Sequence, residues 1–371
     1  MNLNREIIAI LLLDEKEAYN ETVLGIPQMK LKIDMLSHAT SAPAQGVGSV
    51  YIEQTRLMKE LGQDDFEIFI NRHSSRMDLY HIHSVNPSFY LMMTKHRTTI
   101  CFVHFMPNTL EGSIHLPKFI FRLFRRYVIR FYRRAKEIVV VNPSFIPELE
   151  NYGLDRSRIT YIPNFVSRED FHPLPIEEKT SIRKRYHIPE SAFVVLGVGQ
   201  VQTRKGVLDF IRISEENPDM YFVWAGGFSF HQITDGYDVL KKEMKKERKN
   251  LLFTGILNRE EMNSVYNASD VFLLPSYNEL FPMALLESCN VSLPYIVRDL
   301  SLYQDILVKD SLKASDQKAF SALVRKLKED PEFYRSQRNV ALEMAKKYSR
   351  ENVYLLWRDY YQRIYRKYQK K

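Results

Sequence analysis

Short apolar runs of strand length alternate with longer amphipathic stretches along most of this chain, and no other feature limits its possible folds so much. The runs lie at Leu31–Leu36, Phe66–Phe69, Leu79–His83, Thr99–His104 and Ile138–Asn142, then at Phe193–Val198, Tyr221–Ala225, Leu251–Thr254, Val271–Pro275 and Tyr295–Val297. Between them stand helical patterns such as Ser49–Leu61, Lys118–Lys136 and Arg259–Ala268. A strand that is apolar throughout needs cover on both faces, which is the condition of a parallel sheet between layers of helices. The expected class is therefore α/β. The alternation breaks at Phe165–His187, a charged stretch with Pro173 and Pro175, which reads as a linker between two such domains. A helical segment, Asn352–Lys371, closes the chain.

At 371 residues there is room for two domains, each with its own core. The two cysteines, Cys101 and Cys289, are far apart in apolar contexts, a reduced pattern rather than a disulfide framework. No run approaches the roughly 18 apolar residues of a spanning helix. Ile7–Leu13 is the nearest, and Asp14 and Glu15 close it without a cleavage site, so no signal peptide is expected. Residues 1–28 fit the pattern poorly, whereas Met29 opens MKLKIDMLSH as Rossmann-type chains begin. Residues 1–28 read as an extension or a misassigned start, with an ordinary first strand or surface helix as the alternative.

The most informative stretch is PSYNELFPMALLESC, Pro275–Cys289, which carries Glu279 and Glu287 across a strand, a loop and a helix start at Pro282. Free N–H groups there suit a diphosphate, and Glu287, more than one turn into the helix, suits ribose hydroxyls. A second element, LGVGQVQTRKG, runs from a strand into a loop with adjacent Arg204 and Lys205, which could neutralise two phosphates or form a solvated basic pair. Gly197 and Gly199 lack a third glycine at the offset of a dinucleotide fingerprint. A third, AQGVGSVY, places Gly46 and Gly48 between the first strand and a helix, where small residues permit close backbone approach. The fourth is His104, at the end of a strand where open α/β sheets bind ligands.

In this order, with IPNFV (Ile162–Val166) between His104 and the basic loop, the elements resemble glycosyltransferase family 4, which has the GT-B fold of two facing Rossmann-like domains. The resemblance implies a first, acceptor-side domain at 29–165, a second, nucleotide-sugar domain at 166–348 and a crossover helix at 349–371 returning to the first domain. It implies that Arg204 and Lys205 neutralise the donor diphosphate, that Glu287 holds the ribose and that Glu279 and His104 face the transferred sugar. Gly46, Gly48, Asn164 and the backbone of Phe281, Pro282 and Met283 complete the expected donor site. The chain departs from the family pattern in two places. Phe165 follows Asn164 where glycine is common, and Leu280 and Pro282 stand where E-G-F-G is common, so Pro282 has no N–H to offer. The family reaction retains anomeric configuration, the leaving diphosphate itself taking the acceptor proton. No Asp-x-Asp pair occurs in the chain, so no cofactor and no metal is expected.

The net charge of +8 is concentrated in one place. Pro117–Lys136 holds eight basic residues and no acidic one, interleaved with phenylalanines and aliphatics. Lys118, Arg122, Arg125, Arg126, Arg130, Arg133 and Arg134 fit an anionic lipid surface; a solvated basic face is the alternative, and nucleic acid is disfavoured because no recognised module accompanies the charge. With VHFMPNTLEGS and IPNFVSREDFHPL, this helix is similar to the glycolipid synthases of Gram-positive bacteria. Those enzymes add a hexose to monoglucosyl-diacylglycerol and so supply a lipoteichoic acid anchor. The resemblance implies a UDP-glucose or UDP-galactose donor and a peripheral place on the cytoplasmic face of the membrane. Three rivals remain: transfer to an undecaprenyl-linked precursor, a non-catalytic subunit of a glycosylation complex, and a Rossmann-type dehydrogenase.

Overall fold

The computed structural model describes residues 30–38, 46–94, 96–107, 118–228 and 235–369. The reading of residues 1–28 as an extension lies outside the described residues. Two parallel six-stranded sheets organise the chain. The first contains β1 (Leu31–Leu36), β2 (Phe66–Ile70), β3 (Leu79–Ile82), β4 (Thr99–Val103), β5 (Glu137–Val140) and β6 (Ile159–Tyr161), in the order β2-β1-β3-β4-β5-β6. The second contains β7 (Val194–Val198), β8 (Tyr221–Ala225), β9 (Leu251–Gly255), β10 (Val271–Leu274), β11 (Tyr295–Arg298) and β12 (Leu312–Ala314), in the order β12-β11-β10-β7-β8-β9. The three-residue strands β6 and β12 are too short to stand out as apolar runs.

Both faces of the second sheet are covered, as its unbroken apolar strands require. Val194, Leu196 and Val198 join one core, while Val195, its neighbours Phe222 and Val271, and Ile296 of β11 join another. This is the period-two alternation of a strand turned inward on both sides. The expected linker is structured for half its length, because Ile176–Arg185 is a helix. Its Arg183 is buried and pairs with Asp270 at 2.7 Å, while Lys179 holds the other oxygen of the same carboxylate. Charge in that stretch therefore marks a docked helix, which composition by itself had suggested to be loop.

The final helix, Arg350–Gln369, packs on the first sheet. Val353, Trp357, Tyr360, Tyr361 and Ile364 form its buried stripe at helical spacing. Trp357 meets His81 at 4.9 Å and Phe102 at 5.3 Å between ring centres, and Lys367 pairs with Glu137 of β5 at 2.6 Å. The chain thus crosses back to the domain where it began.

Candidate donor and acceptor site

Each sheet has one position where the strand order reverses: between β1 and β3 in the first and between β7 and β10 in the second. In open α/β sheets the crevice beyond the strand ends at such a position is where ligands bind. The loops that leave β7 and β10 carry Arg204–Lys205 and Glu279, so residues some seventy positions apart meet at one point.

Gly206 makes that meeting possible. Its φ of +71° is left-handed, and a Cβ there would lie 2.3 Å from the Pro275 carbonyl oxygen. With the backbones this close, Tyr277 N–H donates to the Arg204 carbonyl at 2.8 Å, and Arg204 Nη1 donates to the Asn278 carbonyl at 3.2 Å. Lys205 Nζ then reaches Glu279 Oε1 at 2.6 Å. Both side chains are largely buried. Burial pushes the Glu279 carboxyl up, but Lys205 first and Arg204 next outweigh it and hold the group below its ordinary range. Burial pulls the Lys205 ammonium down, partly offset by Glu279. Glu279 therefore carries its negative charge at neutral pH.

Behind this pair lies a second buried ion pair that spacing could not reveal. Asp209, in the first turn after Gly206, accepts from Arg298 at the end of β11, from the Tyr277 hydroxyl at 2.5 Å and from Gln317 Nε2 at 2.6 Å. Arg298 Nε also donates to the Pro275 carbonyl at 2.9 Å, and its guanidinium lies 4.0 Å over the Tyr277 ring. Four elements are thereby tied beneath the loop that presents Glu279. In Asp209→Asn the amide nitrogen replaces either Oδ2, facing Arg298 and Tyr277, or Oδ1, facing Gln317, and a buried cation loses its counter-charge. The expected destabilisation is about 3 kcal/mol. Tyr277→Phe, which removes one hydroxyl, is expected to cost about 1 kcal/mol. Thermal melts of both variants check the order.

Glu287 lies on the Met283–Asn290 helix, where its Oε2 accepts from the Tyr266 hydroxyl at 2.7 Å. Burial raises this carboxyl above its ordinary range, only partly countered by that hydrogen bond. Pro282 stands at the cap, one position before the helix, rather than inside its first turn. Phe281 is buried and meets Tyr348 edge-on at 5.2 Å, so its ring is committed to the core. The Leu280 carbonyl accepts from Asn142 Nδ2 at 2.9 Å, and the same nitrogen donates to the Leu302 carbonyl at 3.2 Å. Asn142 follows β5 of the first sheet, so it ties the Glu279 loop across the two sheets. Sequence reading missed it: an asparagine before proline at a strand end signals only a turn.

On the facing wall, Gly46 opens the Gly46–Glu60 helix and Gly48 is buried in its first turn. The loop before them, residues 39–45, lies outside the described residues. His104 follows β4 directly and is nearly buried. Asn164 is also buried, and its Oδ1 has no partner among the described residues; with Gln54, Phe102 and Trp357 it lines a cavity about the size of one water. Among the described residues no hydrogen bond or ion pair joins it to the Lys205–Glu279 pair. Glu53, on the same helix as the glycines, bridges to Arg259 of the second domain at 2.5 Å, and Arg259 also holds Asp170 at 3.1 Å.

The basic helix, Lys118–Arg134, divides into two halves. Val128, Phe131 and Tyr132 are buried against the first sheet, and Arg134 donates to the Met93 carbonyl at 2.9 Å while lying over Tyr90. Arg125 lies over the Tyr152 ring at 5.6 Å. The first turns are different: Phe119 is 66% exposed and Leu123 59%, with Ile120 beside them and Arg122 and Arg126 exposed between. Arg130 and Arg133 are exposed further along, and the side chain of Lys118 lies outside the described residues. Among the described residues no helix is long and apolar enough to cross a membrane.

Residues 178–344 match the family described as glycosyl transferases group 1, and residues 56–170 match glycosyltransferase family 4. The alpha-galactosylglucosyldiacylglycerol synthase of Streptococcus pneumoniae is 39% identical over 347 residues, covering 93% of this chain and 92% of its own length. The processive diacylglycerol alpha-glucosyltransferase of Acholeplasma laidlawii is 24% identical, covering 76% and 83% respectively. Among solved structures, Anabaena HepE in complex with UDP and glucose superposes with a TM-score of 0.72 at 12% identity, covering 90% of this chain and 99% of its own. A Thermosynechococcus elongatus sucrose-phosphate synthase does so at 0.72 and 15%, covering 91% and 99%; both likenesses concern the fold. With two parallel sheets, a helix crossing back and a relative this similar along nearly its whole length, the chain belongs to the group 1 glycosyltransferases of family 4.

Proposed function

We propose that this protein is a retaining hexosyltransferase that moves glucose or galactose from a UDP-sugar onto glucosyl-diacylglycerol at a membrane surface. The likeness to the streptococcal synthase over nearly the whole of both chains carries the reading. The loops at the second sheet's reversal point supply the chemistry. Arg204 and Lys205 meet the donor diphosphate and stabilise the charge that develops on it as the glycosidic bond breaks. The phosphate then takes Lys205 as its partner, and Glu279, released from the ion pair, turns to the hydroxyls of the sugar. Glu287 holds the ribose, and the N–H groups at the start of its helix face donor oxygens; Pro282 contributes none. Across the cleft His104, Asn164 and the Gly46–Gly48 turn close on the sugar and the acceptor. The leaving phosphate oxygen accepts the proton of the attacking hydroxyl on the face it vacates, so configuration is kept without a protein base. Positioning supplies the rest of the rate.

The enzyme sits peripherally on the cytoplasmic face of the membrane, with the first turns of the Lys118–Arg134 helix as its contact. Phe119, Ile120 and Leu123 enter the interface and Arg122 and Arg126 meet anionic head groups. The test is transfer from labelled UDP-glucose or UDP-galactose, in EDTA, to liposomes carrying monoglucosyl-diacylglycerol. A labelled dihexosyl lipid is the expected product, and it identifies the donor. Hydrolysis of a donor without lipid product would discard the acceptor. Phe119→Ser/Leu123→Ser is expected to lower sedimentation with anionic liposomes about tenfold, while leaving donor hydrolysis unchanged.

A further inference from the structure

His104 belongs to a row of three buried imidazoles. Its Nε2 lies 3.1 Å from Nδ1 of His83, the residue just after β3, and their rings stack at 5.3 Å. His83 lies 4.3 Å from His81 between ring centres, and His81 Nδ1 lies 2.7 Å from the Tyr361 hydroxyl on the final helix. Tyr51 and Phe102 close on the edges of His83 at 5.0 and 5.5 Å. Among the described residues neither the buried His83 Nε2 nor His104 Nδ1 has a hydrogen-bond partner.

Burial keeps these rings neutral, so a hydrogen bond between two of them has one donor and one acceptor. If His83 donates from Nδ1–H, its Nε2 is a bare lone pair and His104 carries its proton on Nδ1. If His104 donates from Nε2–H, His83 must carry its own proton on Nε2, burying an N–H with no acceptor. Native interiors tolerate an unsatisfied acceptor better than an orphaned N–H. The first arrangement is favoured.

We propose that His83 is a positioning residue that fixes His104 as its Nδ1–H tautomer, so that His104 meets the transferred sugar as a hydrogen-bond donor. The proposal rests on the placement of His104 beside that sugar. A donor held in this way selects a sugar oxygen that can accept along one direction, and it cannot serve an oxygen that must itself donate there.

The test is nitrogen-15 NMR of the histidine-labelled full chain, with His104 assigned by loss of its signals in His104→Ala. The expected spectrum has Nδ1 of His104 protonated and Nε2 bare. His83→Leu is expected to mix the two tautomers and to lower kcat/KM for the UDP-hexose about 10- to 100-fold, with the calorimetric Kd for UDP unchanged. His83→Asn, whose amide nitrogen falls where Nδ1 was, should restore transfer to within about threefold of wild type. A protonated Nε2 on wild-type His104, or wild-type tautomer and transfer in His83→Leu, would overturn the proposal. So would equal loss of UDP binding in both His83 variants, which marks a packing defect. Wild-type transfer by His104→Ala would instead overturn the placement of His104 itself, and the proposal with it.

Discussion

In Lys205→Met, kcat is expected to fall about 10²- to 10³-fold, the usual consequence of removing one preorganised partner of a developing anion. The variant is also expected to melt about 10 °C lower, because Glu279 is left buried without its cation at a cost of about 3–5 kcal/mol. The two effects can be separated. Lys205→Met/Glu279→Leu replaces the pair with apolar groups of similar size and should recover most of the melting temperature. It should recover none of the transfer. If the double variant regained activity with its stability, the loss in the single variant would be a folding effect and the diphosphate role of Lys205 would fall.

Acid should weaken the first domain in a pH range set by its imidazoles. Burial lowers the pKa of His81 and His83 well below 6.5, and that of His104 to about 3. Each folded pKa lies below its unfolded value, so between the two the unfolded chain binds more protons. Stability from these groups is therefore complete above 6.5 and is lost progressively as pH falls towards the folded values. Each neutral histidine forfeits up to about 1.4 kcal/mol per pH unit in that range. His104 by itself amounts to about 2 kcal/mol between pH 7 and pH 5, and His81 and His83 act in the same direction. Melting temperatures measured at intervals across that range should fall steeply, before most carboxylates titrate. His83→Leu should fall less steeply, having one such group fewer. A flat profile would show that all three rings are already open to water.

Much of this architecture was legible because strand burial writes itself into composition. A strand covered on both faces must be apolar along nearly its whole length, and β7, β8 and β10 were visible for that reason. β6 and β12 were not, since three residues make no pattern, and the Ile176–Arg185 helix was hidden because only Ile182 and Arg183 are buried along it, Arg183 against Asp270. Glu279, Glu287 and the Arg204–Lys205 pair could be picked out because a short chain segment holds each against a strand end or a helix start.

The α/β class, the family and the residue types that a phosphate and a sugar demand could all be read along the chain. Which of them meet depends on how the strands are ordered in space. The reversal of strand order sets β7 beside β10, and so puts Lys205 on Glu279. The return of the final helix carries Tyr361 to His81, and the Lys118–Arg134 helix turns its second half inward and leaves Phe119 and Leu123 outside. Asn142, Asp209, Arg298 and His83 carried no signal, because each acts through a partner tens of residues away. Local spacing records periodicity and turns, whereas contacts across a sheet depend on which strands the chain has placed side by side.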